Sequence, residues 1–361
     1  MMIQQIPLVH RDFKLNGFSH NESTLMDAAY SLIKEGEPYE QVIGDFLMDW
    51  LSESDTIPVK TSGTTGSPKL ATFTRHQMFA SAKLTGDYFE LSPGQSILMC
   101  LPANYVAGKM MLVRAMVLGL ELRFVEPTTN PIPFEKMFDF TAMVPMQLHA
   151  SVKQLDQIDQ LIVGGAPVSQ ELKLEISDAP TTIYETYGMT ETLTHVAVKK
   201  LNHTLSELAE DTFKALPGIE FETDARSCLV ITAPHLDLHK WSTNDVVTLL
   251  SPNEFTWHGR FDHVINTGAV KVHPEHVESI LREAFKCEVV VSGVPDPQLG
   301  ERVVGIIETN ESPEKYMEIL ASLAELDGFE KPRELMTISE FPRNDSGKID
   351  RINTLEHLNL K

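Results

Sequence analysis

Cysteine is scarce in this sequence of 361 residues, and the three that occur stand far apart. Cys100, Cys228 and Cys287 form no CxxC pair, so the sequence indicates neither a disulfide framework nor a zinc knuckle. Disulfides persist mainly in oxidising compartments, and a sequence without a disulfide pattern favours a reducing one. We therefore expect the protein to reside in the cytoplasm.

Basic residues and long apolar runs are also in short supply. The formal net charge is −21, which argues against a protein that holds nucleic acid through a broad basic face. The longest charge-free run, residues 91–108, contains Pro93 and Pro102 and several polar residues, which do not suit a bilayer. The N-terminus lacks the basic segment that begins a signal peptide. We expect no nucleic-acid partner and no membrane span, and the oligomeric state stays open.

Short apolar segments are what the sequence does contain, and they alternate with helix-like stretches. An amphipathic helix is predicted over 38–52 and an earlier helix over about 23–35. Strand-like runs between residues 57 and 184 alternate with further helical patterns. Such alternation is typical of a mostly parallel sheet covered by helices. Closely spaced strand candidates follow from about residue 195 and indicate a β-rich subdomain.

A change in pattern near Gly259 indicates a second domain. The sequence after it predicts a helix over Pro274 to Phe285, then two strands and a further helix, which make a compact α+β module. The sequence therefore predicts an α/β protein with a large N-terminal domain, residues 1–258, and a small C-terminal domain, residues 259–361.

The segment TSGTTGSPK, residues 61–69, carries the strongest chemical signal. It follows the strand-like sequence IPVK, its glycines let the backbone approach an anion closely, and its hydroxyls and lysine can bind phosphate oxygens. It is not a Walker A loop, because Pro68 stands where that pattern needs glycine and Leu70 where it needs serine or threonine. The segment predicts a phosphate site made by Thr61, Ser62, Gly63, Thr64, Thr65, Gly66 and Lys69.

Further motifs follow this loop, and their order resembles that of the adenylate-forming superfamily of acyl-CoA synthetases, peptide-synthetase adenylation domains and luciferases. They are VGGAP at 163–167, YGMTE at 187–191, STND at 242–245, GRFDHVINTGAVKVHPEHVE at 259–278 and PRNDSGKIDR at 342–351. The loop at 61–69 is similar to the signature phosphate loop of that superfamily. The resemblance implies a large AMP-binding domain followed by a small mobile lid.

The resemblance also implies roles for the residues of these motifs. Tyr187 would pack on adenine, Thr190 would contact the α-phosphate and Glu191 would hold Mg²⁺. Lys348 would be the catalytic lysine of the C-terminal signature. The residues of the VGGAP motif that would bind the nucleotide are Gly165, Ala166 and Pro167, and those of YGMTE also include Gly188 and Met189.

The STND motif and the motif after it supply the ribose contacts and the hinge in the same resemblance. Asp245 would accept hydrogen bonds from the ribose hydroxyls, although Asn244 replaces the usual glycine before it. Arg260 would reach the ribose, Asp262 would be the pivot of the lid, and Gly268 would line the coenzyme A tunnel.

The reaction that the resemblance implies has two halves. A carboxylate attacks the α-phosphorus of ATP to give an acyl-adenylate and pyrophosphate, and a thiol then attacks the activated carbonyl. ATP, Mg²⁺ and coenzyme A are therefore expected, and the first half needs cationic partners because it brings an anion to a polyanion. Whether Lys271 meets a coenzyme A phosphate stays open.

The acid is indicated by a narrower resemblance. About sixty residues precede the phosphate loop, fewer than in most of the superfamily, and two segments resemble compact bacterial o-succinylbenzoate–CoA ligases of menaquinone biosynthesis. These are LPANYVAGKMM at 101–111 and THVA at 194–197. That acid carries two carboxylates, so the one that is not activated needs a cationic or polar partner. Lys109 and His195 are the candidates.

Two alternatives stay open. A ligase for another aryl or fatty acid should lack a cation in its acyl pocket, and a stand-alone adenylation domain should load a carrier protein instead of coenzyme A. The aromatic–histidine element often present in the superfamily is absent, since Asn104 and Tyr105 stand there. The sequence leaves both the acid and the acceptor thiol undecided.

Overall fold

The computed structural model describes residues 7–60, 70–134, 136–203, 211–343, 349–358 and 360. The helices are Glu22–Glu35 (α1), Pro38–Leu51 (α2), Arg75–Tyr88 (α3), Val106–Leu118 (α4), Pro145–Ala150 (α5), Gln170–Glu175 (α6), Pro274–Phe285 (α7), Pro313–Ser322 (α8) and Arg351–His357 (α9). Within the described ranges, every helix is too short or too polar to cross a bilayer.

The strands fall into an earlier and a later group along the chain. The earlier strands are Lys14–Leu15 (β1), Phe18–Ser19 (β2), Thr56–Lys60 (β3), Leu70–Thr74 (β4), Ser96–Met99 (β5), Glu121–Phe124 (β6), Phe138–Met143 (β7), Ile158–Val163 (β8), Thr182–Gly188 (β9), His195–Lys200 (β10) and Thr212–Ala215 (β11). The later strands are Glu220–Thr223 (β12), Cys228–Ala233 (β13), Leu238–Ser251 (β14), Glu254–Arg260 (β15), Ile265–Thr267 (β16), Val270–Val272 (β17), Val289–Asp296 (β18), Gly300–Glu308 (β19) and Glu334–Ile338 (β20).

The chain divides into two compact units. The first comprises Met1–Val168, Leu172–Glu220 and Thr232–Lys240, and the second comprises Ser169–Glu171, Phe221–Ile231 and Trp241–Lys361. Residues 221–231 and 241–258, which the sequence prediction assigns to the N-terminal domain, belong to the second unit. The predicted limit at residue 259, and with it the small mobile lid, stays a prediction.

The first unit is built on a sheet whose central strands run parallel. Its strands lie in the order β11, β10, β9, β8, β7, β5, β6, β1, β2. The β5–β6, β5–β7, β7–β8 and β8–β9 pairs are parallel, whereas β10 is antiparallel to β9. The predicted mixed α/β fold with a mostly parallel sheet is therefore confirmed. Parallel strands end at the same edge of a sheet, which is where α/β proteins bind ligands.

Helix α4 is buried over residues 110–118. A helix that is apolar on all faces is normally a core helix, and Arg114 is the one charged residue of this segment. Gly86 of α3 lets the neighbouring helix approach closely, because a Cβ there would lie 2.7 Å from Leu118 Cδ1. Helices α3 and α4 therefore pack side chain against backbone.

Helices α1 and α2 form a second close pair in the first unit. Asn21 caps α1 by accepting the Thr24 N–H at 3.0 Å, while Thr24 Oγ1 accepts the Asn21 N–H at 3.0 Å. A Cβ at Gly44 of α2 would lie 2.7 Å from the carbonyl oxygen of Ala29 and 2.8 Å from Cγ1 of Ile33. The sequence predicts both helices, the second from the spacing of its apolar residues, and both are confirmed.

The second unit combines two groups of strands with α7 and α8. β12, β13, β14 and β15 are neighbours in that order, and a separate sheet has the order β17, β16, β19, β18 with β20 parallel to β19. Val277 and Leu281 of α7 pack on Val289, Val291 and Ile307 of that sheet. The predicted helix over 274–285 and the β-rich pattern after residue 195 are confirmed.

The cysteines are free, as the sequence predicts. Cys100 and Cys228 are buried, and Cys287 is half-buried. Burial raises the pKa of the Cys100 thiol to about 12.

Candidate active site

The predicted phosphate loop and the predicted catalytic lysine lie outside the described residues. Residues 61–69, including Lys69, and Lys348 both fall in gaps of the described ranges. The strands β3 and β4 on either side of residues 61–69 pair in antiparallel register with Lys60 opposite Leu70. Lys60 and Leu70, which flank the segment, are therefore adjacent, and the roles of residues 61–69 and of Lys348 stay predictions.

The VGGAP and YGMTE motifs meet at the carboxyl edge of the parallel strands. Thr186 Oγ1 of β9 donates to the carbonyl of Val163, the last residue of β8, at 3.0 Å. A Cβ at Gly164 would lie 2.6 Å from that hydroxyl, and Gly165 has a φ of +89°, so glycine is required at both positions. Residues 165–167 therefore leave the sheet beside the strand that carries Tyr187.

The YGMTE motif continues into a tight, strained turn. Thr192 Oγ1 accepts the Met189 N–H at 2.9 Å and donates to the Thr194 carbonyl at 2.7 Å. Leu193 has a φ of 60° and lies at the centre of a turn closed by Thr194 N–H and the Thr192 carbonyl at 2.6 Å. A Cβ at Gly188 would lie 2.4 Å from the Thr194 carbonyl oxygen. Strained backbone of this kind is concentrated at functional sites.

The two predicted phosphate and metal residues lie on this turn. Thr190 is half-buried and Glu191 is exposed. Among the described residues no group of three His, Cys, Asp or Glu side chains could hold a metal. Mg²⁺ commonly takes one or two carboxylates together with substrate phosphates, so an accessible Glu191 fits a magnesium ion that arrives with ATP.

Tyr187 belongs to a cluster of aromatic and charged side chains on β9, β10 and β11. It is half-buried, and its ring centroid lies 5.8 Å from that of Phe213. Lys199 Nζ lies 4.6 Å from the centre of the Phe213 ring and 3.1 Å from the Glu185 carboxylate. Tyr187 is thereby supported on one side while part of it stays accessible, as an adenine platform requires.

The predicted ribose and hinge residues are neighbours in the second unit. Asp245 is 7% exposed and lies opposite Arg260 in the β14–β15 pair. The Arg260 guanidinium donates to both carboxylate oxygens of Asp262, at 2.9 and 3.0 Å. Gly268 and Ala269, with φ of 57° and 67°, form the turn between β16 and β17. The ribose, hinge and tunnel roles stay predictions.

His195 lies directly behind the signature turn. It is 8% exposed, its Cα would lie 2.7 Å from a Cβ on Gly188, and its ring stands 6.2 Å from the Phe89 ring. Its Nε2 is buried and has no hydrogen-bond partner among the described residues. Burial, with a smaller contribution from Arg114, lowers the pKa of His195 to about 3, so the ring is neutral at pH 7.

Arg114 is the residue that sequence reasoning missed. It is 3% exposed, its Nη1 lies 3.6 Å from Met111 Sδ, and its Nε has no partner within the described part of the chain. No carboxylate of the described residues pairs with it, and burial lowers its pKa to about 10. The available signal was a single charge inside an otherwise apolar helix.

Lys109 and His195, the two predicted acyl-site residues, have different surroundings. Lys109 Nζ donates to the Pro58 carbonyl at 2.9 Å and lies 5.4 Å from the centre of the Phe46 ring. It borders a cavity of about 280 Å³ between α2 and the start of α4. Burial lowers the pKa of Lys109, and Asp49 opposes that shift. Their joint role stays a prediction, and Arg114 is the cation whose charge helps to lower the pKa of His195.

Comparisons with known proteins agree with these features. The family model described as "AMP-binding enzyme" matches residues 56–222. A probable 2-succinylbenzoate–CoA ligase of Mycobacterium tuberculosis is 30% identical, with 89% of each chain covered. The structure of an acyl-CoA synthetase (AMP-forming)/AMP-acid ligase II-like protein from Dyadobacter fermentans is 36% identical, with a TM-score of 0.59 over 91% of this chain and 98% of that one. The o-succinylbenzoate CoA synthetase of Bacillus subtilis, solved with its acyl-adenylate intermediate, is 18% identical, with a TM-score of 0.73 over 92% of this chain and 81% of that one.

Proposed function

This chain belongs to the AMP-binding enzyme family, and from that premise we propose that it is an ATP-dependent 2-succinylbenzoate–CoA ligase of menaquinone biosynthesis. The reaction converts the acid to an acyl-adenylate and pyrophosphate, and then transfers the acyl group to coenzyme A with release of AMP. We place it in the cytoplasm, where its co-substrates are available. The observation that carries the choice of acid is the buried Arg114, which has no carboxylate partner among the described residues and whose charge acts on His195.

A buried guanidinium without a counter-charge is costly, because it has lost its hydration and gained no negative partner in return. Proteins break such local rules mainly where function requires it. A substrate with a second carboxylate would supply the missing negative charge to Arg114. Neutral His195 has one N–H to donate, and its buried Nε2 has no partner among the described residues. His195 lies next to the signature turn that follows Tyr187, and the charge of Arg114 acts on His195.

In the first half of the reaction, Tyr187 supports adenine, Thr190 contacts the α-phosphate and Asp245 binds the ribose hydroxyls. Mg²⁺ held by Glu191 would offset the charge of the phosphates. Lys69 and the hydroxyls of residues 61–69 hold the outer phosphates, and Lys348 stabilises the charge that develops at the attacked phosphorus.

In the second half, Asp262 is the pivot about which the C-terminal segment turns, and Gly268 lines the path of the pantetheine thiol. The Arg260–Asp262 pair must loosen if the pivot changes conformation, since it ties two residues of the hinge together.

The test is a pyrophosphate-release assay over a panel of acids, with and without coenzyme A, on the natural chain and on Arg114→Met. The panel contains 2-succinylbenzoate, the matching monocarboxylic phenyl ketone, benzoate and a fatty acid. We expect the diacid to be preferred by the natural chain. Arg114→Met should raise the KM of the diacid at least about tenfold more than that of the monoacid, because hydrogen bonds to charged groups contribute about 1.5–3 kcal/mol.

Arg123→Met, which removes an exposed arginine of β6, is the matched control and should change neither KM. Arg114→Met should leave the free energy of unfolding equal or higher, because it removes an unpaired buried charge. Preference for benzoate or a fatty acid would favour a ligase for another acid. Adenylate formation without any coenzyme A thioester would favour a carrier-loading domain.

A further inference from the structure

The environment of Asp245 contains contacts that the family resemblance does not supply. Trp257 Nε1, on β15, donates to Oδ1 of Asp245 at 3.2 Å. The backbone N–H of Asp245 donates to Thr243 Oγ1 at 3.0 Å. Since the Asp245 side chain is buried, these bonds fix both the direction of its carboxylate and the position of its backbone within β14.

A second set of hydrogen bonds holds the residues immediately before Asp245. Arg226, at the turn between β12 and β13, donates to Asn244 Oδ1 at 3.0 Å, to the Thr243 carbonyl at 3.1 Å and to Ser242 Oγ at 3.4 Å. One guanidinium therefore holds three consecutive residues of the STND motif.

The Arg226 guanidinium is itself held in place. Asp224 Oδ2 accepts its Nε and Nη2 at 2.9 and 2.7 Å, and the Phe261 ring lies 5.1 Å from it. Burial acts to raise the pKa of Asp224, but hydrogen bonds from the Cys228 N–H and from Arg226 outweigh it and hold the pKa at about 2. Asp224 is thus a carboxylate at any pH at which the enzyme works.

These contacts explain why asparagine stands where the superfamily has glycine. Asn244 lies within β14 and is not among the residues with positive φ, so the position has no need of glycine's conformational freedom. Its side-chain oxygen is instead a partner of Arg226. Glycine could not make that bond.

We propose that Trp257 and Arg226 are positioning residues for Asp245. Trp257 acts on the carboxylate itself, and Arg226 acts on residues 242–244. Together they aim the carboxylate at the ribose hydroxyls and so set the preference for a ribonucleotide. The inference rests on the proposed function only in that Asp245 binds ribose.

The test compares the binding of AMP and of 2′,3′-dideoxy-AMP by calorimetry, which needs no acid substrate. Trp257→Phe keeps the aromatic ring and removes the N–H donor. We expect this variant to lose about fivefold to tenfold in affinity for AMP and to change little for the dideoxy analogue. In the pyrophosphate assay the KM for ATP should rise while kcat and the KM of the acid stay within about twofold. Trp241→Phe, which alters a 42% exposed tryptophan of β14, is the matched control and should change none of these values.

The role of Arg226 is tested with and without its hydrogen-bond partner Asn244. Arg226→Gln should reduce the preference for AMP over the dideoxy analogue, and the reduction should be clearly smaller in an Asn244→Gly background because the shared bond is already gone. If the effects of Arg226→Gln and Asn244→Gly on the preference for AMP were strictly additive, Arg226 would not act on Asp245 through its bond to Asn244.

Equal losses of affinity for AMP and for the dideoxy analogue in Trp257→Phe would overturn the positioning role and leave a purely structural one. An unchanged affinity for both would overturn it as well. The binding measurements are independent of turnover, so a protein that binds AMP but converts no acid would contradict the proposed ligase and not this inference.

Discussion

His195 shows how burial couples a single side chain to the stability of the fold. Its pKa in the folded protein is lowered to about 3, first by burial and then by Arg114. In the unfolded chain the ring takes up a proton below pH about 6.5. Between these two values the unfolded state binds more protons than the folded one, so the free energy of unfolding falls as the pH is lowered from about 6.5 toward 3.

We predict that His195→Gln removes this part of the pH dependence. Between pH 7.5 and 5.5 the histidine should cost the natural chain about 1.4 kcal/mol of unfolding free energy, which the glutamine variant does not lose. Urea unfolding of both proteins at the two pH values gives the difference directly. The other histidines are present in both proteins, so their contributions to the pH dependence cancel in the comparison. Equal losses in the two proteins would contradict the buried, neutral state of His195.

Arg114 marks the limit of what the sequence could tell about the acyl site. Lys109 was the natural candidate because it stands at the polar start of α4 within a recognisable motif. Lys109 and Arg114 are five residues apart, which puts them about 140° apart around a helix. Because residues 110–118 are buried on all sides, the apolar pattern gave no indication of which face meets the signature turn. The effect of the Arg114 charge on His195 is a property of the tertiary fold, and the sequence pattern does not contain it.

At the scale of whole elements, local sequence signals were sufficient to predict where helices begin and end. The prediction for α7 has the same bounds as the helix itself, with Pro274 in its first turn, and α1 ends before Gly36 as expected. Helix periodicity and capping residues are local properties of the chain, so helix bounds can be predicted from them without knowledge of the tertiary contacts. The grouping of residues 221–231 with the second unit depends on contacts between distant segments, and no local signal predicted it.

The close packing of α1 and α2 gives a prediction about Gly44. Alanine is the better helix former by about 1 kcal/mol, yet its Cβ would meet the Ala29 carbonyl and the Ile33 side chain. Backbone atoms cannot rotate away, so the helices must separate, at a cost of about 1–3 kcal/mol. We expect Gly44→Ala to lower the free energy of unfolding by about 1 kcal/mol in denaturant titrations.

Ser31→Ala on the exposed face of α1 is the control for this substitution. It improves helix propensity without a steric conflict and should raise the free energy of unfolding by about 0.3 kcal/mol. If Gly44→Ala stabilised the protein as Ser31→Ala does, the two helices would not be in the close contact described.

At the scale of the whole molecule, the net charge of −21 makes the folded protein repel itself. Raising NaCl from 10 to 150 mM shortens the Debye length from about 30 Å to about 8 Å. We therefore expect the melting temperature to rise by about 2 °C or more over this range, with the same change in KCl. A flat or falling melting temperature would mean that local attractive pairs outweigh the general repulsion.

The burial of the cysteines has a consequence for how the protein can be handled at the bench. An acyl-adenylate reacts with thiolates, and so do the colorimetric disulfides that are used to count free thiols. Cys100 stays protonated at neutral pH because burial raises its pKa to about 12, and Cys228 is enclosed as well. The native protein therefore has little thiol of its own to be acylated or titrated, with half-buried Cys287 as the main source of background. The coenzyme A that remains in samples withdrawn from the reaction can therefore be titrated with such a reagent without first removing the enzyme.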